Sequence, residues 1–398
     1  MKTLKALLLL LPLVLTFACK APEKEKNWYK GNLHTHSYWS DGDEFPEIIM
    51  EWYKDQGYQF VALSDHNTLA DGEKWKVISD DSLHQAGFEK YLKKYGVEWV
   101  NYKLDSAGRR MVKLKTYDEY TALFEENEEF LIIKAEEITD GFEGKPLHMN
   151  ATNIQKKIEA QGGGSVVEVL QNNIDQVLKQ REETGVPIMP HINHPNFGYG
   201  ISLNDMISLK GERFFEVYNG HPTVHNEGNE THISTEEMWD QINIAYLKDG
   251  KPMMQGLATD DTHHYHSKGK AWSNAGRGWV MVYADSLNAV SLIHAMEAGD
   301  FYASTGVTLK KLNFENNKLT VEIDGEAGVT YSTSFVGVRK GVDNSEVLST
   351  TEALESSFEI TDDLLFVRCK VTSSKLQDNP IENLIYEMAW TQPISGTY

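Results

Sequence analysis

QFVALSDH, residues 59–66, places Phe60, Val61, Ala62 and Leu63 side by side and then turns at once to Ser64, Asp65 and His66. A short unbroken apolar run is the pattern of a strand buried on both faces, and this one ends on groups that bind metals or carry protons. The pattern returns in FLIIKAEE (130–137), VPIMPHINH (186–194), FFEVYN (214–219) and PMMQGLATDDTH (252–263). Between these runs, EIIMEWYKDQ (47–56) and SVVEVLQNNIDQVLKQREE (165–183) carry helical periodicity, and Gly185 and Pro187 close the second. Strands alternating with helices predict a parallel α/β fold. Reactive groups gathered at so many strand ends predict a closed barrel whose C-terminal mouth holds the chemistry.

Residues 68–129 are longer than one crossover needs, with helical stretches near 83–95 and 117–127, and read as an insertion that shapes the mouth. Ala289, Leu292, Ile293 and Met296 mark one more helix, stopped by Gly299. Beyond it, KLTVEI (318–323) and FVRCKVT (366–372) alternate apolar and polar residues between Gly/Asp/Asn turns. Residues 307–398 are therefore expected to form a small all-β, sandwich-like domain. All 14 histidines lie at or before His294, which confines the chemistry to the domain spanning 28–306.

The chain opens MKTLKALLLLLPLVLTFAC, with Lys2 and Lys5 ahead of an apolar run that Cys19 closes. That is the composition of a secretory signal, too short for a spanning helix. Its cysteine resembles the bacterial lipoprotein box, which implies lipidation of Cys19, export and a membrane anchor, with residues 20–27 as a charged tether. With Cys19 so used, only Cys369 remains and no intramolecular disulfide is possible. A formal charge of -21 over 398 residues repels polyphosphate backbones and argues against nucleic acid as a partner.

In NLHTHSYWSDG (32–42), His34 and His36 stand two apart, so on a strand both imidazoles point to one side and can share an ion. The other strand ends supply Asp65-His66, Glu136-Glu137, His148, His194 and Asp261-Thr262-His263. Scattered surface histidines would not recur behind apolar strands in this way.

Taken together, His34-Thr35-His36 with Ser40-Asp41-Gly42, Ser64-Asp65-His66-Asn67, Ala135-Glu136-Glu137-Ile138-Thr139, His194-Pro195 and Asp261-Thr262-His263 resemble the motifs of the PHP (polymerase and histidinol phosphatase) superfamily. GLATDDTHHYH, GRGWVMV and GDFYASTG look like its carbaryl-hydrolase-type branch. The resemblance covers roughly residues 28–306. It implies a distorted seven-stranded (β/α) TIM-like barrel holding two to three divalent ions, for which mixed His/Asp/Glu ligation suits Zn, Mn or Fe. Carried over by position, it implies His34, His36, Glu137 and Asp261 on a first ion, with Glu137 bridging to a second completed by His148 and His194. Asp41, His66 and His263 would hold a third, although many relatives have histidine where Asp41 stands. The implied nucleophile is a metal-bridging hydroxide held by Glu137, Asp261 and His34.

Other residues invite plainer readings. His191 is expected to satisfy a core hydrogen bond and Asp65 to orient a ligand imidazole. Glu216 is expected to contact substrate or brace a ligand, while His264 and His266 are expected either to reach the mouth or to form a histidine-rich loop rim. His221, His225 and His232, in a polar stretch, are expected to be exposed. Arg277 discriminates between substrates: beside the ions it favours an anion, and in a surface salt bridge it has no bearing. The leading expectation is a phosphoesterase acting on a small phosphorylated molecule. The alternatives are a carbamate or carboxylic ester hydrolase and a non-catalytic metal- or glycan-binding lipoprotein, with the C-terminal domain binding carbohydrate or protein.

Overall fold

The computed structural model describes residues 25–381 and 383–396, so Cys19 and the signal run lie outside the described residues. The chain opens with β1 (Asn27–Asn32), α1 (Pro46–Asp55) and β2 (Phe60–Leu63). The insertion follows as β3 (Trp75–Val77), α2 (Ser82–Tyr95), β4 (Tyr102–Leu104), β5 (Arg110–Lys113) and α3 (Tyr117–Phe124). Next come β6 (Leu131–Phe142), β7 (Lys145–Thr152), α4 (Val166–Thr184), β8 (Met189–Ile192), α5 (Leu203–Ser208), β9 (Phe214–Asn219), α6 (Thr235–Lys248) and β10 (Gln255–Thr259). After β11 (Trp279–Ala284), α7 (Ala289–Glu297) and β12 (Phe301–Ser304), the remainder is strand: β13 (Leu309–Glu315), β14 (Lys318–Ile323), β15 (Tyr331–Arg339), β16 (Glu346–Thr351), β17 (Glu355–Glu359), β18 (Leu364–Leu376) and β19 (Tyr386–Thr391).

The local reasons are ordinary ones. All four residues of β2 are buried, as an uninterrupted apolar run requires. In α4, Val166, Val169, Leu170, Ile174 and Val177 make one buried stripe; Ser165 caps the start by accepting from the Glu168 N–H, and left-handed Gly185 ends the helix. Apolar side chains of that stripe pack on Ile138, Met149 and Ile192 from β6, β7 and β8.

These elements make a mixed α/β fold around one large sheet, ordered β10-β9-β8-β7-β6-β2-β1-β11-β12-β19-β18-β15-β16. Its first seven strands include four parallel pairs, β1/β2, β2/β6, β8/β9 and β9/β10. Thr35, just past β1, makes an isolated parallel bridge to Thr262, just past β10, so the two ends of this run meet.

The pairing departs from the parallel pattern at β7, which is antiparallel to both β6 and β8. The cause is local: Glu143 (φ 50) and Gly144 (φ 80) adopt consecutive left-handed conformations, which close a tight hairpin in place of a helical crossover. His148 is thereby set opposite Thr139 on β6.

The insertion builds its own three-stranded sheet, β3-β5-β4. None of its residues lines the cavity at the strand ends, contrary to expectation. Instead it buttresses the turn behind the cavity, where Lys74 Nζ donates to the Trp39 carbonyl and Lys76 Nζ to that of Ser40 at 3.0 Å.

The C-terminal strands divide between a sheet ordered β13-β14-β17 and the main sheet, which continues through β12 into β19. Val321, Phe335, Val367 and Cys369 belong to the apolar cluster of this region. No break in the sheet marks residue 307, because Tyr302 pairs with Thr391 and Ala303 with Trp390.

Candidate metal centre

The candidate ligands converge on Glu137 from six strands: Glu137 and His148 lie within β6 and β7, His34, His36, His66, His194, Asp261 and His263 just past the ends of four others, and Asp41 in the turn after β1. Just past β1, His34 and His36 turn inward, while Thr35 turns away and its Oγ1 lies 2.7 Å from the Tyr265 hydroxyl. Glu137 faces the histidines, whereas its neighbour Glu136 points elsewhere and accepts from the Ile158 N–H at 2.9 Å. Gly42 lets the following turn fold back closely, since a Cβ there would come within 2.6 Å of the His36 backbone.

Glu137 Oε2 lies 3.3 Å from Nε2 of His34 and 3.2 Å from Nε2 of His36. Asp261 Oδ1 faces the same two nitrogens at 3.3 and 3.2 Å. Two atoms bound about 2.0–2.1 Å from a tetrahedral ion stand about 3.3 Å apart, so each of the two carboxylate oxygens stands at ligand-to-ligand distance from both imidazoles. On the other side of Glu137, Oε1 is 3.0 Å from His148 Nδ1 and 3.6 Å from His194 Nε2. At the outer edge, Asp41 lies 3.4 Å from His263 Nε2 and 3.6 Å from His66 Nε2. His66 belongs to two groups, with its Nδ1 also 2.9 Å from Glu137 Oε2. Groups able to hold a cation are therefore His34, His36 and Glu137; His66, Glu137 and His148; His36, Asp41, His66 and His263; and, behind His34, His34 with His191 and Glu216.

Fit to a metal is carried by polar atoms without partners. His34 Nε2, His36 Nε2, Glu137 Oε2 and His148 Nδ1 are buried and make no hydrogen bond. Leaving such atoms unsatisfied costs about 1–3 kcal/mol each, and a shared cation removes that cost. Electrostatics agree: burial opposes charge on His34, yet Asp261, Glu216 and Glu137 together raise its pKa well above 6.5. Burial likewise opposes ionisation of Glu137, but the His66, His34 and His148 imidazoles hold its carboxyl well below the usual range. The carboxylates thus call for positive charge among them, from protons or from metal.

The surrounding shell holds this arrangement. Glu216 Oε1 lies 2.7 Å from His34 Nδ1, and its Oε2 accepts from the His194 N–H and from Asn219 Nδ2, both at 2.8 Å. Of its two expected roles it takes the bracing one, and it does not line the cavity. Asn219 also donates to Asp261 Oδ2 at 3.1 Å, and Asn193 donates to Glu137 Oε1 at 2.8 Å. Both asparagines end apolar runs, the signal used for the ligands, and sequence reading passed over them. Asp260 was missed too; fully buried, it accepts from Asn32, Tyr53 and the N–H groups of Gly276, Arg277 and Gly278. It anchors the turn in which Asp261 takes a left-handed φ of 50°.

Several expectations need correcting. Asp65 orients no imidazole: it accepts from the Ser37 N–H at 2.8 Å and from the hydroxyls of Ser37 and Ser40, fixing the turn toward Asp41. Arg277 neither lines the cavity with the candidate ligands nor makes a surface salt bridge among the described residues. It is buried, and its guanidinium donates to the carbonyls of Gly220, Gly269, Trp272 and Asn379. His191 makes no hydrogen bond through either nitrogen and stands 3.7 Å from Glu216. His266 turns outward to the Asp43 carbonyl at 2.9 Å. His221 is not exposed but lines the cavity, its ring 5.5 Å from that of His263, and burial pushes its pKa down to about 4. His225 and His232 are exposed, flanking Tyr199.

The resulting cavity measures 380 Å³. Beyond candidate ligands its walls are Phe197, His221 and His264, with no lysine or arginine among the described residues. Ser273 N–H donates to His264 Nδ1 at 3.2 Å and Thr223 N–H to His221 Nδ1 at 3.3 Å, so in both neutral rings Nε2 carries the proton.

No family model matches the chain, and no curated protein matches it. Among solved structures it is similar to a two-domain protein from Bacteroides vulgatus containing a predicted PHP-like metal-dependent phosphoesterase, at 13% identity over 93% of this chain and 96% of that one, TM-score 0.39. It is also similar to an amidohydrolase from Chromobacterium violaceum, at 12% identity over 61% of this chain and 90% of that one, TM-score 0.30. Likenesses this slight carry no argument about the chain.

Proposed function

We propose that this chain is a metal-dependent hydrolase that cleaves phosphate esters of small molecules. The observation that carries the reading is the set of buried, unpartnered nitrogen and oxygen atoms of His34, His36, Glu137 and His148, gathered where Glu137 and His148 line a 380 Å³ cavity and His34 and His36 stand behind them against Glu137. His34, His36, Glu137 and Asp261 would hold a first ion; Glu137, His148 and His194 a second; Asp41, His66 and His263 a third. Their nitrogen and carboxylate donors suit Zn, Mn or Fe. Bound there, divalent ions would supply Lewis acidity toward the ester's oxygens and lower the pKa of water.

The remaining work falls to the chain. Glu216 fixes the His34 proton on Nδ1, leaving Nε2 free for a cation, and Asn193 and Asn219 hold the two central carboxylates in place. His264 and His221 present N–H donors at the cavity wall, the groups this chain offers there to protonate or hold a leaving oxygen. On this reading the enzyme works outside the cytoplasm, held to a membrane by a lipid on Cys19.

A second reading, a carboxylic or carbamate ester hydrolase, is favoured by one observation: among the described residues no lysine or arginine lines the cavity, and Arg277 is used elsewhere. The deciding experiment is purification of residues 20–398, measurement of bound metal, and comparison of phosphomonoesters, phosphodiesters and aryl carboxylates as substrates. Preference for a phosphate ester, lost in His34→Ala and Asp261→Ala, is expected. Fewer than about two metals with no hydrolysis of any class would overturn the reading.

A further inference from the structure

A second cavity, of 520 Å³, opens at the opposite ends of the same strands, in the seam between the barrel-like run and the β13–β14 hairpin. Arg213 precedes β9 and Gln255 begins β10, and the Gln255 N–H donates to the Arg213 carbonyl at 2.7 Å, so both side chains enter the cavity from adjacent strands. Trp28 and Tyr283, paired across β1 and β11 with ring centroids 4.9 Å apart, supply an apolar wall, and Phe314 supplies another.

Two features point to a ligand. Gln255 is only 5% exposed, yet its Oε1 has no hydrogen-bond partner among the described residues. Arg213 Nε is also buried without a partner, and among the described residues the guanidinium makes no ion pair. The nearest acid in sequence does not compensate it, because burial pushes the Glu212 carboxyl up to about 8 and leaves it largely neutral at pH 7. A guanidinium asks for an oxyanion with two acceptor oxygens, and an amide oxygen asks for an O–H or N–H.

We infer that this seam is a binding site for a small hydroxy-carboxylate with the chemistry of a sugar acid, its carboxylate on Arg213, a hydroxyl on Gln255 and its carbon face on the aromatic wall. The cavity size and its position between two packed regions are those of small-molecule sites in general. The inference is independent of the reaction assigned to the metal centre.

Isothermal titration of the purified, metal-loaded protein with D-glucuronate tests it, with D-glucose as the neutral control. Glucuronate is expected to bind and glucose to give no measurable heat. Arg213→Met should weaken glucuronate by about ten-fold or more, Arg213→Lys by less, and Gln255→Leu by several-fold, while ester hydrolysis is unchanged in all three. His148→Ala should leave glucuronate affinity intact. Absence of glucuronate binding, equal affinity in wild type and the Arg213 and Gln255 variants, or a loss confined to His148→Ala, which would put the carboxylate on the metal centre, overturns the inference.

Discussion

Oε1 of Glu216 lies 2.7 Å from Nδ1 of His34, while Nε2 of the same ring faces Glu137 and Asp261 at 3.3 Å. The ring is held from behind by an acceptor, which keeps its inner lone pair free for a cation. Glu216→Gln replaces one carboxylate oxygen with an NH₂ that accepts nothing, so either His34 Nδ1–H or the His194 N–H and Asn219 together lose their acceptor. Metal affinity should fall about 10–100-fold in a chelator competition, with activity restored by excess metal. Unchanged affinity would remove Glu216 from this role.

Chelation tests the centre through stability. Stripping metal leaves the buried nitrogens of His34, His36 and His148 unsatisfied, so the melting temperature should drop by several degrees and recover on adding metal back. In Asp261→Ala the recovery should be much smaller. A melting curve indifferent to metal would contradict the centre altogether.

Asp41 separates the outer group from the inner ones. Its side chain is 58% exposed, whereas those of His34 and Glu137 are almost wholly buried. Asp41→Ala should therefore lose about one equivalent of metal while the tightly held remainder stays. Loss of all metal would show that the three groups fill as one unit.

Arg277 serves the mouth's architecture. Its contacts tie the loops at Gly220, Gly269 and Trp272 to Asn379. Arg277→Met leaves four carbonyls without their donor and should destabilise by about 2–4 kcal/mol in urea unfolding. KM should change to the same degree for a phosphate ester and a neutral ester. A selective rise for the phosphate ester would return Arg277 to substrate binding.

Glu212 gives a pH dependence remote from the centre. Burial raises its pKa from 4.5 to about 8 in the folded chain. Below about pH 4.5 both folded and unfolded forms hold the proton. Between the two values only the folded form does, so its contribution to stability declines as pH rises and is lost through about pH 8. Glu212→Gln should flatten this decline, raising stability at pH 8 relative to pH 5 by about 1 kcal/mol or more. Parallel curves for the two proteins would contradict the assignment.

Much of this was legible in residue order because buried strands announce themselves. Phe60–Leu63 is apolar throughout, and His66 follows it, so strand and candidate ligand could be read together. The His34/His36 spacing worked for the same reason. What was not legible depends on pairing across long separations or on which of several polar partners a side chain finds. Nothing near Tyr302 announces Thr391 as its partner. The Glu143-Gly144 turn is short enough to pass for a loop, which hid the reversal of β7. Arg277 was read through its charge, although a buried guanidinium can be fully used by backbone carbonyls. His221 was judged by the polarity of its neighbours, while the turn that carries it folds into the cavity.

The pairing of β12 with β19 also sets an order of events during synthesis. Every candidate ligand has been made by His263, yet β12 gains its second neighbour only once Thr391 has emerged. Asn379, the far anchor of Arg277, comes nearly as late. A nascent chain thus carries a full set of ligands for more than a hundred residues before the mouth around them can be fastened, and the order of translation itself delays a finished centre until those later strands are made.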